Sequence, residues 1–156
     1  MSRYLPSLLL AVFAFGLDRL HKYLQIEVWG WHGGEITRVT DFFDYVLVWN
    51  TGISYSLLGT LPVWMLMIVI VAAVIGLCIW WWRSKDQLVR AGLALAIGGA
   101  VSNALDRWLY GAVADFFYFH WQDWSFYIFN LADAAITAGV LLLILDFAGV
   151  GRRRQR

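Results

Sequence analysis

Apolar residues in this chain fall in four long runs separated by polar breaks, a spacing too long for strands. Pro62 to Trp82, "PVWMLMIVIVAAVIGLCIWWW", is the clearest run and carries no charge. Leu5 to Leu24 is of similar length, but its last third holds Asp18, Arg19 and Lys22. A third run extends from about Leu88 to Trp108 and closes on Asp106 and Arg107. The fourth runs from about Phe126 to Phe147, with Asp133 near its start and Asp146 near its end. A bilayer-crossing helix needs roughly 20 mostly apolar residues. The pattern therefore predicts a membrane all-α fold with four transmembrane helices over 5–24, 62–82, 88–108 and 126–147, three of them polar at one end.

Residues 25–61 follow a different pattern. "GEITRVTDFFDYVLVWNTG" mixes β-branched and aromatic residues between turn formers, which predicts strands. Gly33-Gly34 is the candidate hairpin turn, and "ISYSLLGTL" after it reads as a short amphipathic helix at the interface. The expectation is a small extracytoplasmic, β-containing cap between the first two helices, within one domain spanning 1–156.

Composition agrees with the bilayer as solvent: 61% of residues are hydrophobic and 15% charged, whereas a soluble domain is nearer half apolar and a quarter charged. Cys78 is the single cysteine, which excludes an internal disulfide and a cysteine metal cluster; on its apolar run it reads as a small core residue. Eight of the 12 Lys and Arg (Arg3, Arg83, Lys85, Arg90, Arg152, Arg153, Arg154, Arg156) fall on one side of the four runs, and 9 of the 11 acids on the other. The basic side is cytoplasmic by the positive-inside rule, which places both termini inside. Trp80, Trp81 and Trp82 would mark the inner interface, and Trp29, Trp31, Trp64, Trp108, Trp121 and Trp124 the outer one. The first run also has the outline of a secretory signal, with Arg3 ahead of Leu8 to Leu17 and a weak "AFG" cleavage site. The charge pattern favours a retained helix.

On this topology Asp18, Asp106 and Asp133 reach one outer layer from three helices. Ionisable residues inside spans are costly and are functional candidates by default. Asn103 precedes Asp106 at i, i+3, Asn130 and Asp133 repeat that relation, and Asp18 and Lys22 form an i, i+4 pair. Each also has a structural reading. Asp18–Lys22 serves as an ion pair, Asp106 beside Arg107 fixes a loop, and Asn130 is the N-cap of the fourth helix with Asp133 favoured by the helix dipole. Gly111, as a helix C-cap, would let "AVAD" run back extended across the layer and bring Asp115 with it.

Other chemistries find less support. His21, His32 and His120 lack H-E-x-x-H spacing. Ser54 or Ser56 with Lys22 would imitate a Ser/Lys hydrolase, but no G-x-S-x-G elbow surrounds them. There is no phosphate-binding glycine loop and no basic patch suited to nucleic acid.

Five motifs in order carry a resemblance over essentially the whole chain: "DRLHK" at Asp18 to Lys22, "NTGISYS" from Asn50, "GGAVSNALDR" from Gly98, "GAVADF" from Gly111 and "FNLADAAI" from Phe129. With the topology, they resemble the lipoprotein signal peptidases, or signal peptidase II. Two positions depart from that family's usual pattern: Ser102 stands where Gly is common, and Ser54 where Ala is common. Both are small, so slight repacking and a somewhat more polar pocket are expected.

The resemblance implies an aspartyl endopeptidase of the bacterial cytoplasmic (inner) membrane with its site at the outer-leaflet surface. Asp115 and Asp133 would be catalytic. Asn50, Asn103, Arg107 and Asn130 would hold the peptide backbone and orient the pair, with Asp106 behind them and Asp18 and Lys22 bracing the first helix. The substrate implied is a prolipoprotein already carrying diacylglycerol on a cysteine and cut just before it. Membrane lipid is the surrounding partner; no nucleic acid, metal or cofactor is implied, and the chain is expected to be a monomer. Two close carboxylates do not both ionise easily, so one holds a proton while the other is charged. Rival readings are a proton- or cation-coupled transporter, a divalent-cation enzyme acting on lipid phosphate, and a non-catalytic scaffold.

Overall fold

The computed structural model describes residues 3–52 and 63–149. Ser54, Ser56, the stretch from Ile53 expected to form an amphipathic helix, and Arg152, Arg153, Arg154 and Arg156 lie outside the described residues.

Four helices form where the apolar runs lie. Helix α1, Leu5–Tyr23, has proline in its first turn, where the missing N–H has no helical partner to lose, and continues into a π-helical turn, Leu24–Val28. Helix α2 is Val63–Arg83 and α3 is Gln87–Tyr110. Asp86 caps α3, accepting hydrogen bonds from the Leu88 and Val89 amides, and the helix ends at Gly111 with φ 73°. That left-handed residue reverses the chain into an extended run, as the sequence leads one to expect, and the run proves to be a strand. Helix α4, Leu131–Phe147, starts later than expected. Residues 126–129 are apolar enough to pass for helix, but Phe129 bridges Phe117 in extended conformation and Asn130 caps the helix.

Strands β1 (Ile36–Arg38) and β2 (Phe43–Asn50) precede α2, and β3 (Val113–Trp121) and β4 (Trp124–Ser125) lie between α3 and α4. They form one antiparallel sheet of order β1-β2-β3-β4. Two expectations are thereby corrected. The cap is not built from 25–61 alone, because β2 pairs with β3. The hairpin turn is not at Gly33-Gly34: Arg38 pairs with Asp44, so the chain turns over residues 39–42, and the two glycines precede β1. Thr40 and Asp41, both turn formers, lie there instead.

The pairing of β2 with β3 slips between Tyr45 and Val48, so that Val46 and Leu47 together oppose Phe116. This β-bulge explains why two successive β2 residues are buried where a regular strand alternates. Leu47, Ala114 and Phe116 form the core under the sheet, with Ile26, Trp31 and Tyr45 packed on it. Trp31 is therefore part of the cap's interior, whereas Trp29, Trp64, Trp108, Trp121 and Trp124 are exposed.

Helix α3 lies against α1, α2 and α4. Its glycines permit close approach: a Cβ at Gly98 would strike the Ala11 carbonyl, one at Gly99 the Ala132 carbonyl, and Gly92 faces Gly139. The outer faces of α1, α2 and α4 expose large apolar side chains, among them Leu9, Phe13, Ile68, Ile75, Leu141 and Ile144, an abundance of the kind that marks a membrane or partner contact. Helices α2 and α3 are each long and apolar enough to cross a membrane. Cys78 is exposed on α2, not a core residue.

Candidate active site

Asp115 is the third residue of β3, opposite Val48 of β2, and Asp133 lies in the first turn of α4. Both line a cavity of about 330 Å³ together with Asn50, Asn103, Arg107 and apolar groups from three helices, Ile70, Ala100 and Ile136. Local backbone chemistry brings them there. The Phe116 and Phe117 amides both donate to the Phe129 carbonyl at 2.9 Å, and the Phe129 amide returns a bond to Phe117 at 3.2 Å. This seats Asn130, the next residue, directly beneath β3.

Asn130 is the hub. Its Oδ1 accepts from the Asp133 amide at 2.9 Å while Asp133 Oδ2 accepts from the Asn130 amide at 3.2 Å, a reciprocal capping box. Its Nδ2 donates to Asp115 Oδ1 at 2.6 Å and also faces Asn103 Oδ1 and the Ala114 carbonyl. One asparagine thus touches both aspartates. A second donor completes each carboxylate: Asn50 Nδ2 donates to Asp115 Oδ2 at 3.0 Å, and Asn103 Nδ2 to Asp133 Oδ1 at 2.8 Å. The amides cannot turn round freely, because Asn50 Oδ1 accepts from the Gly52 amide and Asn103 Oδ1 from Lys22 Nζ, both at 3.1 Å.

Behind this layer lies a buried ion cluster. Lys22 Nζ sits 2.8 Å from Asp18 Oδ2 and 2.6 Å from Asp106 Oδ2, all three side chains being fully buried. Asp106 also pairs with Arg19. Ser102 Oγ donates to Asp18 Oδ2 at 2.6 Å, so its hydroxyl does not make the cavity more polar, contrary to expectation. Asp18, Lys22 and Asp106 support the site without lining it. With Asp18 and Lys22 part of this buried cluster, α1 is integral to the fold.

The surroundings of the cavity raise the affinity of Asp115 for a proton. Burial first, and then the charge of Asp133, push the Asp115 carboxyl up to about 7, against the opposing hydrogen bonds from Asn50 and Asn130 and the charge of Lys22. Arg107 reaches the same cavity; Nη1 donates to the Asn103 carbonyl at 3.3 Å, and Nε is buried without a hydrogen-bond partner. A guanidinium so placed can hold a peptide carbonyl or a developing negative charge.

The structure thus brings Asn50, Asn103, Arg107, Asp115, Asn130 and Asp133 together and sets Asp18, Lys22 and Asp106 one layer back. Sequence reasoning assigned no part to Arg19, although it adjoins Asp18, because its partner is 87 residues away. It also passed over His21, whose ring nitrogen lies 2.6 Å from the Tyr45 hydroxyl and ties α1 to the sheet.

Helices wrapped in exposed apolar side chains, carrying a carboxylate-lined cavity under a small sheet, define a membrane enzyme. Two solved structures described as bacterial membrane enzymes are similar over nearly the whole chain. One has a TM-score of 0.83 at 25% identity, covering 97% of this chain and 93% of that one. The other has a TM-score of 0.78 at 27% identity, covering 95% and 94%. The sequence pattern of signal peptidase (SPase) II matches residues 10–148, and the chain belongs to that family. It is 42% identical to the lipoprotein signal peptidase of Methylorubrum extorquens (strain PA1), over 94% of this chain and 87% of the relative. With the lipoprotein signal peptidase of Beijerinckia indica subsp. indica the identity is 45%, over 88% and 84%. The family assignment sets aside the transporter reading.

Proposed function

We propose that the chain is an aspartyl endopeptidase of the bacterial inner membrane. As a member of its family it removes signal peptides from prolipoproteins. In this reading the substrate carries diacylglycerol on the cysteine that follows the scissile bond, and Asp115 and Asp133 perform the hydrolysis. The observation that carries the proposal is the shared cavity: two carboxylates from different elements, each with two N–H donors, are linked by Asn130.

The pair holds one proton near neutrality. The ionised carboxylate takes a proton from water, whose oxygen attacks the scissile carbonyl carbon, while the protonated one donates to the carbonyl oxygen. Proton transfer to the departing amine then completes cleavage and restores the pair. Arg107 and the asparagines hold the extended backbone of the substrate. No metal or cofactor takes part.

All four helices span the membrane in this reading, with both termini cytoplasmic and the cavity at the outer-leaflet surface. Helix α4, 17 residues long, would measure about 26 Å, and the extended residues before it supply the remaining depth. The acyl chains of the substrate stay in lipid while the peptide meets the aspartates. The β-cap clamps the substrate from above, and the enzyme works as a monomer.

The test is cleavage of a diacylglyceryl-modified prolipoprotein by purified protein with chelator present, comparing wild type with Asp115→Asn, Asp133→Asn and Asp106→Asn, each checked for folding. Wild-type cleavage with folded but inactive Asp115→Asn and Asp133→Asn is the expected result. Loss of cleavage on chelation would overturn the metal-free mechanism. An active Asp115→Asn beside an inactive Asp106→Asn would replace Asp115 as the partner of Asp133.

A further inference from the structure

We infer that Arg19 and Ser102 are positioning residues for the two cavity aspartates, each completing the donors of a buried acid that grips the backbone N–H just ahead of one aspartate. The inference rests on the dyad reading above. Its basis is a correspondence between the two halves of the buried cluster. Asp106 Oδ2 accepts from the Ala114 amide at 3.2 Å, and Ala114 immediately precedes Asp115. Asp18 Oδ1 accepts from the Ala132 amide at 2.9 Å, and Ala132 immediately precedes Asp133. Lys22 joins the two acids, so the clasp Ala114–Asp106–Lys22–Asp18–Ala132 spans from one aspartate's backbone to the other's.

Each acid then has one further donor. Asp106 has the Arg19 guanidinium and Asp18 the Ser102 hydroxyl. Arg19 also reaches the Ser102 carbonyl at 3.4 Å, which ties the two donors together. Charge balance makes Arg19 more than a spare contact. Lys22 carries one positive charge against two carboxylates, and its ammonium has three N–H groups, matched by Asp18, Asp106 and Asn103. Arg19 supplies the second positive charge to a fully buried acid, where an unpaired charge is strongly unfavourable. Neither Arg19 nor Ser102 lines the cavity. They act through the backbone, and an error in the separation of the aspartates lowers the rate of the chemical step without weakening substrate binding.

Protein labelled with ¹⁵N-alanine in detergent micelles gives a direct readout, alongside kcat and KM for the diacylglyceryl-modified prolipoprotein. Arg19→Gln is expected to move the Ala114 amide signal more than that of Ala132, and Ser102→Ala to do the reverse. Arg19→Gln should lower kcat roughly ten-fold with KM little changed, and Arg19→Lys, which keeps the charge, should recover both kcat and the Ala114 signal. The inference is overturned if both variants move both amides alike or neither, if Arg19→Lys fails as badly as Arg19→Gln, or if the loss appears in KM alone. Asp115→Asn and Asp133→Asn run beside them keep the two readings apart. An active aspartate variant would remove the dyad, and the paired amide response would then report the clasp by itself.

Discussion

The two ends of the α1–α3 pair each bury a cation, and they do so by different means. Where both helices begin, the Arg90 guanidinium is held by neutral groups: the Arg3 carbonyl at 2.8 Å, the Lys85 carbonyl at 3.3 Å and the face of the Tyr4 ring. Tyr4 in turn stacks on Trp82, and Trp81 Nε1 donates to Ser7 Oγ at 3.0 Å. Where both helices end, Lys22 is held by two carboxylates and an amide oxygen. At the Arg90 end only the guanidinium is charged, and the ring attracts it anywhere over its face within about 6 Å of the centroid. At the Lys22 end both partners of each acid contact are charged, so Coulomb attraction adds to the hydrogen bond and fixes position more firmly. The firm arrangement lies behind the two aspartates proposed to react, the tolerant one where a helix end need only be fastened.

That contrast can be broken by experiment. Lys22→Met leaves two carboxylates buried without their shared cation, and should cost about 3–5 kcal/mol of stability. Chemical unfolding in micelles measures that loss, and cleavage should disappear with it. Next in size is the response to pH. Burial and the charge of Asp133 push the Asp115 carboxyl up to about 7, so in the dyad reading the proton donor is lost as pH rises through that value. The cleavage rate should therefore fall about tenfold per pH unit on the alkaline side, and a pH–kcat/KM profile that stays flat to pH 9 would contradict the shared proton. Arg90→Gln removes charged hydrogen bonds worth about 1.5–3 kcal/mol each at most, yet should leave kcat and the alkaline limb in place. A fall in kcat there would show that the two ends are coupled and the comparison false. Ser7→Ala, which removes the bonds to Trp81 and the Tyr4 carbonyl, should lower stability by about 1 kcal/mol, measured as a small shift in the unfolding midpoint.

Local chemistry was readable in the sequence and distant pairing was not. The four apolar runs, the Asn130 cap and the reversal at Gly111 each depend on residues a few positions apart. The β2–β3 ladder does not, and with it went the pairing of the extended run at Asp115 into a sheet. Phe126 to Phe129 misled because apolar aromatics suit helix and strand alike, and only the distant Phe116 and Phe117 amides decide for extended backbone. The turn at 39–42 was overlooked in favour of two adjacent glycines whose positive φ serves the approach to β1. Arg19 and Ser102 carry no spacing signal toward their partners on the neighbouring helix. Resemblance to a family compensated for much of this, since ordered motifs carry the distant pairing that periodicity lacks.

The pairing of β2 with β3 also bears on how the protein is made. Asn50 and Asp115 meet across 65 residues, so β2 emerges from the ribosome long before its neighbour exists. Closing a loop of that length is slow compared with forming either helix, and α2 and α3 must both be in place first. During that interval one edge of β2 is unprotected and open to mispairing with other chains. A nascent chain halted before β3 has neither a closed sheet nor either cavity aspartate, and one halted between β4 and α4 has the sheet but lacks Asp133.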